Sequence, residues 1–320
     1  MPKCLYCDAT NNLTDDHVFP AAIGGRIKLK NAVCKSCNQR FGAQFEAEFT
    51  NGFTGIRNLL GIPDRTGTVP SVPAEVTLDG EVRPAVVSNS GQVFPHSYKI
   101  GTVTGPEKEI HYRTFTPAQE KNLMKSMKRK GISLTRATSK IEGEAAVRIN
   151  LAFIGSAKTH RSIAKIALTG LALKVGDKFA LSDTFAPLRE FVRTGLGPTP
   201  VRLFVSQEVL NRFRINVRYH ALIFAFDAHK HRAYSVVVIF GGLFYLVRFT
   251  DAYNGVDFSW TYTYNSQAGK HPTMLFGATM ISELGMVEKV LAGPTVWNNR
   301  KLSAECLMEY VRQVRPDVRI

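Results

Sequence analysis

Four cysteines, at positions 4, 7, 34 and 37, stand as two C-x-x-C pairs in the first 40 residues, far from the fifth, Cys306. Two such pairs in one short segment suit a single tetrahedral zinc ion. Four thiolates would close that site and leave no position for water, so the ion would be structural. A disulfide framework is the weaker reading, because the N-terminus MPKCLYCDA has no apolar signal region and disulfide frameworks belong to secreted chains. A module this small buries little apolar surface, so the zinc must contribute folding energy. Cys306 reads as a small apolar residue on a helix over 301–313.

Polar residues interleave with the cysteines. In order come Asp16-His17-Val18-Phe19-Pro20, Gly24-Gly25, Asn31, and Asn38 directly after Cys37. His17 has the residue type for a general base near neutral pH. Asp16 and Asn38 offer oxygen to a hard cation. Simpler roles compete: Asp16 as a turn cap, His17 as a structural histidine, Asn31 as a turn residue, Asn38 as a helix cap.

The order and spacing of these residues resembles the HNH endonucleases, the ββα-metal nucleases, in the subtype with a Cys4 zinc knuckle around the active site. The resemblance covers about residues 4–58, with Phe19 at a variable position. It implies that His17 activates water and that Asp16 and Asn38 hold Mg2+, Mn2+ or a similar cation. Asn31 would hold the loop and orient His17. Products would carry 5′-phosphate and 3′-hydroxyl ends. Restriction or anti-phage defence, including cleavage of modified DNA, follows only by analogy.

Charge points to the same kind of partner. The formal net charge is +15 and the pI about 9.7, an excess that favours a polyanion. Through residue 73 the chain holds eight Lys/Arg against six Asp/Glu, so about +13 lies beyond that point. Arg26, Lys28, Lys30, Lys35 and Arg40 are candidate phosphate contacts in the module. Lys121, Lys125 and Lys128 share one face of a helix and are candidates beyond it; a solvated face is the competing role. Double-stranded DNA is the expected partner. A membrane is not, since SVVVIFGGLFYLV (235–247) reads as two strands and a turn. The expected location is cytoplasmic. One HNH module makes one cut, so a double-strand break would call for a homodimer.

The expected fold class is α+β: a zinc-stapled ββα module over 1–62, a linker over 63–74, and a larger mixed domain with an antiparallel sheet over 75–320. Thr116, Pro117 and Gln119 mark a helix start, and Gly131 its end. A strand is expected near 147–154, then a core-facing helix bearing Ile163, Ile166, Ala167 and Leu171. A further helix is expected over 185–194. Strands are expected near 75–79, 97–104, 109–115, 200–205, 218–226, 233–240, 243–249 and 258–264, with DAHKHR (227–232) as a hairpin. Phe41, Phe45 and Phe49 recur every fourth residue on a helix and should pack on the β-ribbon.

Two other functions fit the same sequence. One is a zinc protein that binds nucleic acid without cutting. The other is a nuclease gated by a C-terminal sensor, with Phe224, Phe226, Phe240, Phe244, Tyr245, Trp260 and Tyr262 lining a base pocket.

Overall fold

A computed structural model describes residues 2–64, 66–78, 80–89, 92–96, 98–103, 109–114, 116–131, 144–146, 152–204 and 218–266. The helix expected over 301–313, with Cys306, lies outside the described residues.

The chain opens with strand β1 (Leu13–His17), antiparallel to β2 (Lys28–Cys34). Thr14 faces Val33 and Asp16 faces Leu29, so Asp15 opposes three residues of β2. Asn31 lies inside that bulge with φ of 51°, a left-handed conformation that asparagine tolerates better than most residues. A helical run follows: α1 (Lys35–Phe41), a π turn (Gly42–Glu46), α2 (Ala47–Gly52) and α3 (Thr54–Leu60).

Phe41, Phe45, Phe49 and Phe53 recur every fourth residue and are fully buried. Four residues overshoot one α-helical turn by about 40°, and the wider π turn offsets that drift. The four rings therefore stay on one face. Phe53 carries the run beyond the β-ribbon, meeting Phe153 at 4.7 Å and Phe240 at 5.2 Å between centroids. One hydrophobic core runs from Cys4 to Tyr264 through both halves of the chain.

Helix α5 (Ala157–Val175) lies between them. On one side it meets β2, the π turn and α2; on the other it meets a five-stranded antiparallel sheet and helices α6 (Asp177–Ala180) and α7 (Ala186–Thr194). The sheet has the order β13-β10-β11-β12-β9. Its strands are β9 (Val201–Phe204), β10 (Tyr219–Asp227), β11 (Arg232–Ile239), β12 (Leu243–Thr250) and β13 (Phe258–Asn265). These match the strands and the hairpin expected from sequence. Phe240 and Gly241 both take positive φ in the three-residue turn between Ile239 and Leu243.

A smaller sheet, ordered β5-β4-β3-β8, combines β3 (Val72–Leu78), β4 (Glu81–Val87), β5 (Val93–Pro95) and β8 (Glu144–Ala146) around a core of its own. A ribbon of β6 (Tyr98–Val103) and β7 (Glu109–Arg113) and helix α4 (Pro117–Arg129) complete the described elements. The Thr116 hydroxyl caps α4 as expected, accepting from the Gln119 amide. Strand β3 begins inside the expected linker, and Asn58 ties that segment down through the Pro70 and Ser88 carbonyls at 2.6 and 2.9 Å. A 3-10 turn, Ala152–Gly155, stands where the end of a strand was expected. It sets Phe153 against Phe53, and its Ile154 carbonyl accepts from the Tyr245 hydroxyl at 2.9 Å.

Five of the seven aromatic residues proposed as a base pocket (Phe224, Phe226, Phe240, Phe244 and Tyr245) are buried sheet core. Among the described residues, no helix is long and apolar enough to cross a membrane.

Because the core is shared, Phe53→Ala should cost about 3–5 kcal/mol. Urea unfolding should show a lowered midpoint with fluorescence and circular dichroism still changing together. Separate transitions for the module and the sheet would contradict a shared core.

Candidate active site

The four cysteine sulfurs lie within 4.8 Å of one another. Cys7 Sγ is 3.6 Å from both Cys34 Sγ and Cys37 Sγ. A tetrahedral zinc with bonds of about 2.3 Å requires sulfur separations of about 3.8 Å, so the donor set fits that ion. Burial pushes the Cys4 thiol up to about 11 and the Cys37 thiol up further. A central cation is what would hold all four as thiolates. Cys34 also starts α1: its sulfur accepts from the Cys37 amide at 3.4 Å. The helix cap is therefore Cys34, and Asn38 sits inside the helix, which removes the capping role weighed for it.

Asn38 Nδ2 donates to Thr14 Oγ1 at 3.2 Å, and that hydroxyl donates to the Val33 carbonyl at 2.9 Å. Thr14 must therefore accept from the amide, which fixes the amide orientation. The Asn38 carbonyl oxygen is left for a cavity of about 300 Å³ that Asn38 lines with Asp15, Asp16, His17, Glu46 and Lys165.

His17, at the end of β1, makes no hydrogen bond among the described residues. Burial, and then the charges of Lys28 and Lys165, lower its pKa below the usual 6.5. Its ring is thus biased to the neutral form, which can accept a proton. The contact expected from Asn31 to His17 is not made. Asn31 is exposed, and its backbone amide reaches Asp15 Oδ1 at 3.3 Å. Its part here is the bulge.

Asp16 is 4% exposed. Its Oδ1 accepts from Lys165 Nζ at 2.5 Å, and its Oδ2 accepts from the Thr169 hydroxyl at 3.3 Å. The Tyr6 hydroxyl donates to Thr169 in turn, at 2.9 Å. Lys165 also meets Glu46 Oε1 at 2.8 Å. Burial alone would lower the Lys165 pKa, but the two carboxylates raise it, and the ammonium stays charged. The side chains of Lys165 and Asp16 are only 4% and 5% exposed. An ion pair this buried is weak evidence of net stabilisation, yet removing one partner strands a charge at a cost of about 3–5 kcal/mol.

Sequence reasoning missed Lys165, Thr169, Tyr6 and Glu46. The one available signal was the spacing of Lys165 and Thr169, four residues apart and hence on one face of α5.

The loop between the strands is held from the far sheet. Gly24 has φ of 94°, and a Cβ there would lie 2.5 Å from the Ser266 carbonyl oxygen. A Cβ on Gly25 would collide with the Phe19 carbonyl. The Tyr264 hydroxyl donates to the Gly24 carbonyl at 2.9 Å. His220 Nε2 donates to the Ile23 carbonyl at 2.9 Å, and its Nδ1 accepts from the Phe240 amide at 3.2 Å. Phe19 stacks on the His220 ring.

The basic residues divide. Arg26 donates to the Asp64 carbonyl at 2.6 Å and, at 3.4 Å, to those of Ala21 and Gly25. It is a loop clamp, which corrects its reading as a phosphate contact. Arg40 lies over Phe41 and 3.6 Å from Cys37 Sγ, half-buried. Lys30 is exposed but paired with Asp15 at 2.8 Å. Lys28 and Lys35 are exposed, as are Lys121, Lys125 and Lys128 on α4, outside the cavity's lining.

Residues 4–54 match the family described as HNH endonuclease. They form an HNH-type module. The match takes in the cysteines, Asp16, His17, Asn31, Asn38 and Glu46, and it supports a nuclease and a nucleic-acid substrate at the level of the family. It ends well before Lys165, Thr169, His220 and Tyr264, so the HNH module is completed by residues that the match does not cover. No curated protein and no solved structure matches the chain.

His220 gives the clamp a pH signature. Burial lowers its pKa to about 4, against a smaller opposing effect of the Ile23 carbonyl. Between pH 6.5 and 4 the unfolded chain binds a proton that the folded one refuses. This contribution is complete above pH 6.5 and is lost as pH falls towards 4, up to about 3 kcal/mol. The urea midpoint should fall more steeply from pH 7 to 4.5 in the wild type than in His220→Gln. Equal slopes would contradict it.

Proposed function

We propose that the protein is a metal-dependent DNA endonuclease that hydrolyses phosphodiester bonds with His17 as general base. The observation that carries this reading is that His17, Asp16 and Asn38 line the same cavity. His17 lacks a hydrogen-bond partner among the described residues and its pKa is lowered. Its ring is therefore available to take a proton from a water placed between it and a phosphate. Asp16 and Asn38 offer hard oxygen donors suited to Mg2+ or Mn2+, and both line the same cavity. A divalent cation bound there supplies Lewis-acid stabilisation of the charge that develops on the phosphate and the leaving 3′-oxygen.

The chain's own contribution is position. Thr14 turns the Asn38 amide, and Lys165 and Thr169 fix the Asp16 carboxylate. The cysteine cluster, read as a structural zinc site, sets the start of α1 and with it Asn38. Exposed Lys28 and Lys35 near the site, with Lys121, Lys125 and Lys128 on α4, suit the phosphates of double-stranded DNA. A role in restriction or anti-phage defence rests on the HNH module alone.

The decisive experiment incubates wild type and His17→Ala with plain, methylated and hydroxymethylated plasmid in Mg2+ or Mn2+. Wild type should cut, and His17→Ala should lose about 10²–10⁴ in rate. Because neutral His17 is the active form, the acid limb of the wild-type rate should have its midpoint below pH 6.5. Equal cutting by both proteins would remove His17 as the base. A protein that cuts under no condition would remove the enzyme.

The zinc reading has its own test. Metal analysis should find one zinc per chain, and Cys34→Ser should lose it together with helical signal. Full retention of zinc by the variant would contradict the Cys4 assignment.

A further inference from the structure

We propose that Lys165 is a resident counter-ion of the catalytic carboxylate, which an incoming divalent cation displaces from Asp16 onto Glu46. The proposal rests on the reading of Asp16 as a cation ligand. Lys165 comes from α5, more than a hundred residues beyond the family match, and its ammonium bridges Asp16 Oδ1 at 2.5 Å and Glu46 Oε1 at 2.8 Å.

Both Asp16 oxygens are engaged, one by Lys165 and the other by Thr169 at 3.3 Å. A Mg2+-sized ion needs an oxygen at about 2.0–2.1 Å. An ammonium on the same carboxylate would then stand within a few ångströms of a double positive charge, in surroundings that screen poorly. One of the two cations must give way.

Glu46 supplies the place for the lysine to go. It already shares the ammonium, its side chain is the most open of the three at 19% exposed, and its Oε2 makes no hydrogen bond among the described residues. Lysine, with a flexible four-carbon stem and three rotatable donors, can shift between carboxylates in a way that a planar guanidinium cannot. Glu46 ends the π turn, a local widening that recurs at functional sites.

The exchange also changes the sign of the site. Asp16, Glu46 and Lys165 together carry −1, and Asp15 is neutralised by Lys30. With a divalent cation added, the group carries +1. The change of two charge units makes this group more attractive to a phosphate once the cation is in place. Lys165 is thus a positioning residue that holds the carboxylate in shape until the cation arrives.

Calorimetric titration of MnCl2 into the zinc-loaded full chain, with plasmid cleavage followed in parallel, tests this. Lys165→Met should bind Mn2+ about tenfold tighter than wild type, because the competitor is gone. Glu46→Gln, which removes the seat that receives the lysine, should bind at least about threefold more weakly. Lys158→Met, which removes an equal charge from an exposed pair with Glu48, should stay within about twofold. The proposal is overturned if Lys165→Met binds no tighter, or if Lys158→Met gains as much. Should Lys165→Met fail to fold, unchanged affinity in Glu46→Gln overturns it equally. Cleavage by wild type with an unimproved Lys165→Met removes this inference and leaves the nuclease standing. A wild type that binds no Mn2+ removes both.

Discussion

Helix α5 is buried on every side, and the arrangement of both halves of the molecule depends on it. Ser162, Ile163, Ala164, Lys165, Ile166, Ala167, Leu168, Thr169, Gly170, Leu171 and Ala172 are all below a tenth exposed. A helix buried all round cannot be a simple amphipath with one polar face. Small residues let the π turn and the five-stranded sheet approach it from opposite sides. The same helix then delivers Lys165 and Thr169 to Asp16. Core packing and site geometry are therefore one problem for this chain, solved by one element.

The HNH module gathers two clusters of side chains that suit a positive centre. Four sulfurs within 4.8 Å are held as thiolates only by a cation among them. Asp16 and Glu46 share a buried corner, and there the structure provides the cation itself, as Lys165. The module is too small to bury a carboxylate pair with its own residues. It borrows the counter-charge from α5, as it borrows Tyr264 and His220 for the loop carbonyls.

Features set by local spacing could be read from the sequence. The cysteine pairs, Asp16-His17, Asn38 and the strands of the large sheet depend on neighbours along the chain, and they are where the pattern puts them. What could not be read depends on distant partners. Gly24-Gly25 marks a tight turn in any reading, but its close neighbour is Ser266, more than 200 residues away. Lys165, in IAKIA, reads as the polar face of an amphipathic helix; only the docked module turns that face inwards. Phe41, Phe45 and Phe49 suggested packing on the ribbon, and no local signal announced the π turn or the contacts of Phe53 with Phe153 and Phe240. Arg26 looked like a phosphate contact because a cation's commitment to backbone carbonyls leaves no trace in composition.

The division of labour follows. Residues 4–54 contribute an imidazole, a carboxylate and an amide to the cavity, and the sulfur cluster beside it. The rest of the chain contributes their coordinates, through His220 to the Ile23 carbonyl, Tyr264 to the Gly24 carbonyl, and Lys165 to Asp16. Each of these restraints acts within a few residues of His17, and each originates on an element that also packs in the shared core. Protein interiors are close-packed and transmit displacement instead of absorbing it. A shift of α5 or of β10 and β13 is therefore felt at the Asp16 carboxylate and at the loop behind His17, although none of those elements carries His17 itself. The basic C-terminal half is in this way part of the site's geometry, whatever further part its surface takes in holding nucleic acid.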